Sequence, residues 1–570
     1  MNSNKYRGSL RLLMPIVVLL AVTGGIIGGR VLERRSLNKE VAQNIQTLRE
    51  LSQNPAQLIQ QSSSAMLSND KLSLALALIE REYVDSVSID TLREHLMPHI
   101  FEKLDPHSVY IPASELEEMN EPLEGEFDGV GIVFNMATDT VLVINVIPSG
   151  PSADVGIVGG DRIIKINDSL VAGVKLPQHD VIKRLRGKRG TQVKLGVERG
   201  GIDELIEFEV TRDAIPINSI SSAIILKDSI GYIRMLQFAR TTHFELVAAI
   251  NRLKEQGLKG LILDLRGNTG GYLDQAILIA NEFLPDNKLI VYTEDRAGKR
   301  MNQYSDGYGI LKEMNIALLI DEQSASSSEI LAGALQDNDI GTIVGRRSFG
   351  KGLVQQQIPF LDGSAMRLTI ARYYTPVGRS IQKEYGDSIA YDEDLARRIE
   401  HNEFFVADSI HFADSLKFTT PKGKIVYGGG GIMPDVFVPA DTTAMSKYFM
   451  EVSLKNILYN YTTKYADDNR EKINSITTPE QLEELFSHYA TNEKLLAGFV
   501  AYAEKRGVEP VWDEIETSRE IILAQLKAYI GRNTPLDDDA FTLSIYPIDN
   551  TILKAIEIIE QKDKIGQVPQ

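Results

Sequence analysis

The 570-residue chain carries 61 Lys and Arg against 78 Asp and Glu, a net charge of −17, which excludes the broad basic surface of a nucleic-acid binder. It has no cysteine, so disulfides, thiolate nucleophiles and Cys-based zinc sites are excluded. Its eight histidines are scattered, with only His95 and His99 four apart, and no acidic calcium loop accompanies them, so neither a metal nor any other cofactor is expected. At roughly 150 residues per domain the length allows about four units, each able to bury a core.

Lys5, Arg7 and Arg11 precede an apolar run over 12–29. That run of about 18 residues would make a helix of roughly 27 Å, slightly short of a hydrocarbon core of roughly 30 Å. Residues 1–30 therefore read as a transmembrane anchor or a cleaved signal segment, and the lack of an Ala-x-Ala site near Gly24–Gly29 favours the anchor. Arg30, Arg34 and Arg35 on the far side leave the orientation ambiguous by charge. Residues 36–118 form a helical N-terminal region, with Val41, Ile45, Leu48 and Leu51, then Leu72, Ala75, Leu76 and Ile79, each set on one helix face. These stripes read as packing or oligomer contacts. In Leu-Asp-Pro-His-Ser (104–108), His107 beside Pro106 reads as structural, not as an acid or base.

Residues 119–213 read as a small β domain. A glycine loop (125–131) enters a strand, 141–148 alternates as a second, and a short helix starts near Pro151. Gly-Gly-Asp-Arg-Ile (159–163) opens a further strand, 179–185 reads as a helix, and 192–199 and 207–212 read as closing strands.

From 214 to 441 the pattern becomes α/β. Residues 258–265 read as a buried strand running through Asp264-Leu265-Arg266 into Gly-Asn-Thr-Gly-Gly (267–271), with a helix over 272–284. Adjacent glycines permit the close backbone approach that an oxyanion-binding loop needs. The string superficially matches the Gly-Asn-Ser-Gly-Gly of trypsin-like proteases, but Thr269 would be the nucleophile and a strand-turn-helix setting is not a β-barrel. Further on, Gln-Ser-Ala-Ser-Ser-Ser-Glu (323–329) opens an apolar helix, and Ser-Phe-Gly-Lys-Gly-Leu-Val-Gln (348–355) follows, entering a strand over 354–358.

A serine hydroxyl needs a base to take its proton during attack on a carbonyl. A lysine serves only when neutral, so its pKa must fall from about 10.4 by roughly three units, about 4 kcal/mol. Apolar surroundings do this by disfavouring the ammonium form. Lys351 lies between two glycines, near Phe349, Leu353 and Val354, and Gln355 four residues on shares its face. An amide there holds the amine without adding charge. Ser326 also has a purely structural reading, since Ser326-x-x-Glu329 fits a capping box. The two are compatible, because a helix start also presents N–H groups to a developing oxyanion.

Together with Leu-Thr-Ile-Ala-Arg-Tyr-Tyr-Thr-Pro (368–376) and Gly-Arg-Ser-Ile-Gln (378–382), these four ordered motifs resemble the carboxy-terminal processing, or tail-specific, proteases. The resemblance implies an α/β protease core with an inserted PDZ domain, within a multidomain α+β chain bearing an N-terminal membrane helix and helical N- and C-terminal regions. It implies an ATP-independent serine endopeptidase with Ser326 as nucleophile, Lys351 as base and Gln355 holding the lysine. Gly270 or Gly271 and the N–H of Ser327 would bind the oxyanion. Ser327 stands where the family usually has Ala, and no consequence is expected. Glu329 matches a family glutamate at the edge of the site, with helix capping as its expected role. The PDZ module would add a substrate tail as a strand while N–H groups of Gly129, Val130, Gly131 and Ile132 bind its carboxylate. Expected partners are proteins with exposed C-terminal tails, the membrane through the N-terminal helix, an adaptor protein and a second copy of the chain. The catalytic body is placed in the periplasm at the inner membrane.

Charged residues 385–424 read as an insertion, since Gly-Gly-Gly-Gly-Ile-Met-Pro-Asp (428–435) resembles a strand that follows Ser-Ile-Gln more closely in that family. Residues 442–570 read as helical, with Leu482, Leu485 and Phe486, and Ile521, Leu523 and Leu526, available for dimerisation or a partner. The alternative from another class is a membrane-tethered PDZ scaffold with an inactive protease-like domain. Against it, Ser326, Lys351 and Gln355 are all present at matching spacing. Lysine-dependent proteases of the signal-peptidase or Lon type bring neither the PDZ pattern nor the Asp-Leu-Arg turn.

Overall fold

The computed structural model describes residues 71–136, 139–386, 391, 393–410 and 413–566, which form two compact units. The expected membrane segment (1–30) lies outside the described residues; among those described, no helix is long and apolar enough to cross a membrane.

Residues 71–104, 108–114 and 356–368 make the smaller unit. The helical pattern there divides into Lys71–Glu82 and Ile89–Phe101, the second started by Ser88, whose Oγ accepts the Thr91 N–H at 3.2 Å. Val109–Ile111 pairs antiparallel with 365–367.

The larger unit is built on a six-stranded sheet in the order Ile220–Lys227, Ile230–Met235, Gly260–Asp264, Asn315–Ile320, Thr342–Gly345, Val436–Phe437. Every pair is parallel except the first. Period-2 alternation sends Leu261, Leu263, Leu318, Ile320 and Ile343 into one apolar cluster, with Leu246, Ile279 and Leu331 of three helices. It sends Ile262, Ala317, Leu319 and Val344 into a second cluster on the other face. Burial on both faces explains why these strands read as continuous apolar runs. The second face is covered by Ile552, Ala555, Ile556 and Ile559. Helix Asn550–Gly566 therefore completes the protease core, a role its amphipathic pattern left open; Gly260 admits it, since a Cβ there would sit 2.4 Å from Ile559. The helices from Lys447 to Ile545 enclose a separate core around Phe449, Leu458, Leu485, Phe499 and Leu526.

The β domain is inserted through paired strands, Glu126–Gly129 entering against Asp213–Pro216 leaving. Its main sheet runs Ile132–Asn135, Val141–Val146, Arg162–Ile166, Gln192–Glu198, Ile206–Thr211. Ile132–Asn135 is thus an edge strand, and helix Gln178–Leu185 sends Val181 and Leu185 into the core that holds Val130. Asn135, Leu142 and Arg162 are cross-strand neighbours on one face of this sheet. Helix Ile457–Asp468 lies over them, with Asn135 Nδ2 donating to Thr463 Oγ1 at 3.3 Å and Arg162 Nη2 to Asp467 Oδ2 at 2.6 Å.

Candidate active site

Ser326 sits where the chain turns sharply from strand Asn315–Ile320 into helix Ser327–Asp337. Its backbone is at φ 55°, ψ −113°, a region an L-residue occupies at a cost of about 1–3 kcal/mol. A serine serving only as a cap would take extended backbone instead, so capping alone does not account for this conformation. A strained strand-to-helix turn is the device that lifts a nucleophile clear of its sheet in other hydrolases.

The flanking serines hold the turn. Ser324 Oγ donates to Leu265 O (2.8 Å), Ser327 Oγ to Gly271 O (2.9 Å) and Ser328 Oγ to Asn268 O (2.8 Å). At 327, where the family usually has Ala, the hydroxyl ties the helix start to the glycine turn. That turn is fixed from below by Asp264, fully buried, which accepts from Arg266 Nη2 (2.6 Å) and Tyr232 OH (2.8 Å). Arg266 also reaches Asp549 Oδ2 at 2.9 Å, just ahead of the last helix. The Asp-Leu-Arg motif is thus a structural staple under the turn.

Glu329 links the two halves of the site. Completely buried, its carboxylate accepts the N–H of Ser326 (2.9 Å), the N–H of Lys351 (2.8 Å), the N–H of Gly350 (2.7 Å) and the hydroxyl of Ser348 (2.5 Å). It caps the helix, as expected, and it also fastens the lysine loop to the serine turn. Burial pushes its pKa up to about 7 against these four donors. The Tyr373 hydroxyl bridges the same segments from the other side, within hydrogen-bonding distance of Ser326 O (3.0 Å) and of Lys351 O.

Lys351 Nζ donates to Gln355 Oε1 at 3.1 Å, and Gln355 Nε2 donates to the carbonyl of His107. The turn carrying that carbonyl is held by Asp105 Oδ1, which accepts the His107 N–H at 2.9 Å and the Thr369 hydroxyl at 3.2 Å. Burial, then the charge of Lys351, depresses the His107 imidazole to about 4, so it is neutral at pH 7. Gly350, at φ 91°, lets the loop pass Gly431, where a Cβ would lie 3.1 Å from the Gly431 nitrogen.

Of the oxyanion candidates, Gly270 packs directly on the serine: a Cβ there would come within 2.8 Å of Ser326 Cβ and 2.9 Å of Ser327 N. Its own N–H, however, donates to Asn268 Oδ1 at 2.9 Å. Ser327 is the first helical residue, so its N–H has no acceptor within the helix. Gly271, at φ 149°, lies against Phe238, whose carbonyl oxygen would be 2.2 Å from a Cβ. In the β domain, Gly129 ends the entry strand, Gly131 turns at φ 74°, the buried Val130 carbonyl accepts from Ser152 N (3.0 Å), and Ile132 starts the edge strand. Among the described residues no group of three or more His, Asp or Glu is placed to hold a metal ion.

Sequence reading thus places Ser326, Lys351, Gln355, Gly270, Gly271 and Ser327 in one neighbourhood, and the four PDZ-loop residues in another. It missed the linking role of Glu329, the Tyr373 bridge and the His107 carbonyl. The run Arg-Tyr-Tyr-Thr-Pro held the signal for Tyr373, and Glu329 was placed at the edge of the site with capping as its expected role.

The profile of peptidase family S41 matches residues 229–394 and that of the PDZ domain residues 129–210, while 448–534 match a family of unknown function. A carboxy-terminal-processing protease of Bartonella bacilliformis is 38% identical over 309 residues, covering 53% of this chain and 70% of that one. The carboxy-terminal processing protease CtpB of Bacillus subtilis is 31% identical over 351 residues, covering 61% and 71%. Among solved structures, a photosystem II D1 C-terminal processing protease aligns over 65% of this chain and 93% of its own, at 25% identity and a TM-score of 0.33. The chain belongs to the carboxy-terminal processing proteases of peptidase family S41.

Proposed function

We propose that this protein is an ATP-independent serine endopeptidase that cleaves near the C-terminal ends of extracytoplasmic proteins. A disordered tail adds to the edge strand Ile132–Asn135, its carboxylate held by the loop at Gly129 to Ile132. Lys351 takes the Ser326 proton as Oγ attacks the scissile carbonyl, then delivers it to the leaving amine. The acyl-enzyme is released by water. The N–H of Ser327 and the Gly271 turn face the oxyanion. Gln355 accepts from Lys351 with a neutral oxygen, so it orients the amine without raising its pKa by charge.

The observation that carries this reading is the single carboxylate of Glu329, which accepts from the backbone of both Ser326 and Lys351. Two residues 25 positions apart (351 − 326) are held within the span of one side chain. Ser326→Ala and Lys351→Ala should each abolish cleavage of an unfolded casein by the full chain while leaving its melting temperature near that of the wild type. Wild-type turnover in either variant would overturn the assignment and favour a scaffold. The extracytoplasmic setting rests on the basic-then-apolar pattern over 5–29; degradation of the catalytic region by a protease added outside the cytoplasmic membrane tests it.

A further inference from the structure

Lys383, Tyr391 and residues 394–403 lie on the lysine side of the site. Lys383 Nζ lies 4.0 Å from the centre of the Phe349 ring and 4.1 Å from that of Tyr391, and pairs with Asp394 Oδ2 at 3.1 Å. Arg398, almost fully buried, donates Nη2 to Arg347 O (2.7 Å) and Nη1 to Ser348 O (3.2 Å). Glu403 accepts from Arg398 Nε at 2.9 Å and from Arg347 Nη2 at 2.8 Å. The peptide leading into Gly350 and Lys351 is therefore gripped by its carbonyls, and Arg398 and Glu403 lie beyond residue 394, where the match to the peptidase family ends.

Tyr391 extends this grip to the lysine. Its hydroxyl is 2.6 Å from His107 Nε2, and the two rings meet edge to face, with centroids 5.6 Å apart. The His107 carbonyl can only accept, so it selects the Gln355 amide orientation with the NH2 group toward residue 107 and the oxygen toward Lys351. Reversed, the amide would set its NH2 against an amine and a carbonyl against a carbonyl. Buried ion pairs add little net stability over apolar packing, so what the Arg347, Arg398 and Glu403 cluster supplies is geometry.

We propose that Tyr391, Arg398 and Glu403 form a positioning arm for Lys351, in which Tyr391 fixes His107 and thereby the Gln355 amide, while Arg398 and Glu403 hold the segment entering the lysine loop. Tyr391 is a positioning residue and touches no reacting atom. The inference rests on the Ser326 and Lys351 reading above, and Ser326→Ala serves as the control that separates the two.

The test compares wild type, Tyr391→Phe, Arg398→Lys and Ser326→Ala in the full chain with unfolded casein as substrate. Tyr391→Phe keeps the ring and loses the hydroxyl's hydrogen bonds with His107 and Gln382, so kcat should fall about tenfold with KM within about twofold. The rate at which a fluorophosphonate labels Ser326 should fall by a similar factor, with the melting temperature lowered by only a few degrees. Arg398→Lys, which cannot reach both carbonyls, should show the same split between kcat and KM. Unchanged kcat and labelling in both variants overturn the arm, as does a rise in KM at constant kcat, which would make Tyr391 a substrate contact. If Ser326→Ala still cleaves, the underlying site reading falls instead.

Discussion

Replacing Glu329 by Gln separates the stability of this site from its activity. The wild-type carboxylate takes four donors on two oxygens. In Gln one oxygen becomes an NH2 group facing two of those donors. A carboxyl raised from 4.5 to about 7 is destabilising when ionised, by about 3 kcal/mol above pH 7. That net figure already counts the four donors, so Glu329→Gln, with no charge to bury, should melt no lower than wild type at pH 8. Its kcat should nonetheless fall about 100-fold, because the lysine loop is no longer fastened to the serine turn. The sign with pH follows from the same shift. Between 4.5 and 7 the folded state holds a proton that the unfolded chain has released. This stabilisation is complete below 4.5 and lost as pH rises through 7, by about 1.4 kcal/mol per unit. Four donors require the ionised form, so activity should rise with pH over the range in which stability falls. Urea unfolding and casein turnover, both followed from pH 5 to 8.5, measure the two slopes. A variant with kcat within about threefold of wild type, or a stability slope that survives the substitution, refutes this account.

Ser327→Ala removes the tie to the Gly271 carbonyl, so it should lower stability by about 0.5–1.5 kcal/mol in urea and reduce kcat by less than about tenfold. Gly271→Ala should abolish activity and depress the melting temperature, because its Cβ would collide with the Phe238 carbonyl. Asp337→Ala leaves the Arg379 guanidinium, paired at 2.5 Å with neither side chain exposed, buried without its anion; a loss of about 3–5 kcal/mol is expected by denaturant titration.

Period and motif made much of this molecule legible in advance. Parallel strands buried on both faces write themselves as runs such as Leu261, Ile262 and Leu263, and the left-handed turns at Gly131 and Gly350 show as glycines. The serine, the lysine and its glutamine were visible because their spacing carries the chemistry. Glu329 was harder, since a buried carboxylate and a surface helix cap share the same four-residue signature. His107 was legible only as structural, and its backbone carbonyl, the atom that matters here, carries no side-chain signal. Helix Asn550–Gly566 was unreadable as core because its partner strands lie far upstream, and an amphipathic stripe does not say which apolar face it covers.

The contact between Ile457–Asp468 and the outer face of the PDZ sheet bears on how tail preference can change in this enzyme. Asn135 closes the edge strand that would receive a tail, and the same residue is bonded to Thr463. A PDZ domain transplanted from a relative would bring its own groove yet meet a helix shaped for Asn135, Leu142 and Arg162. Removing the domain would bare that helix to solvent. On the proposed reading, exchanging tails for new ones calls for small changes along the groove or for matched changes on both sides of the seam.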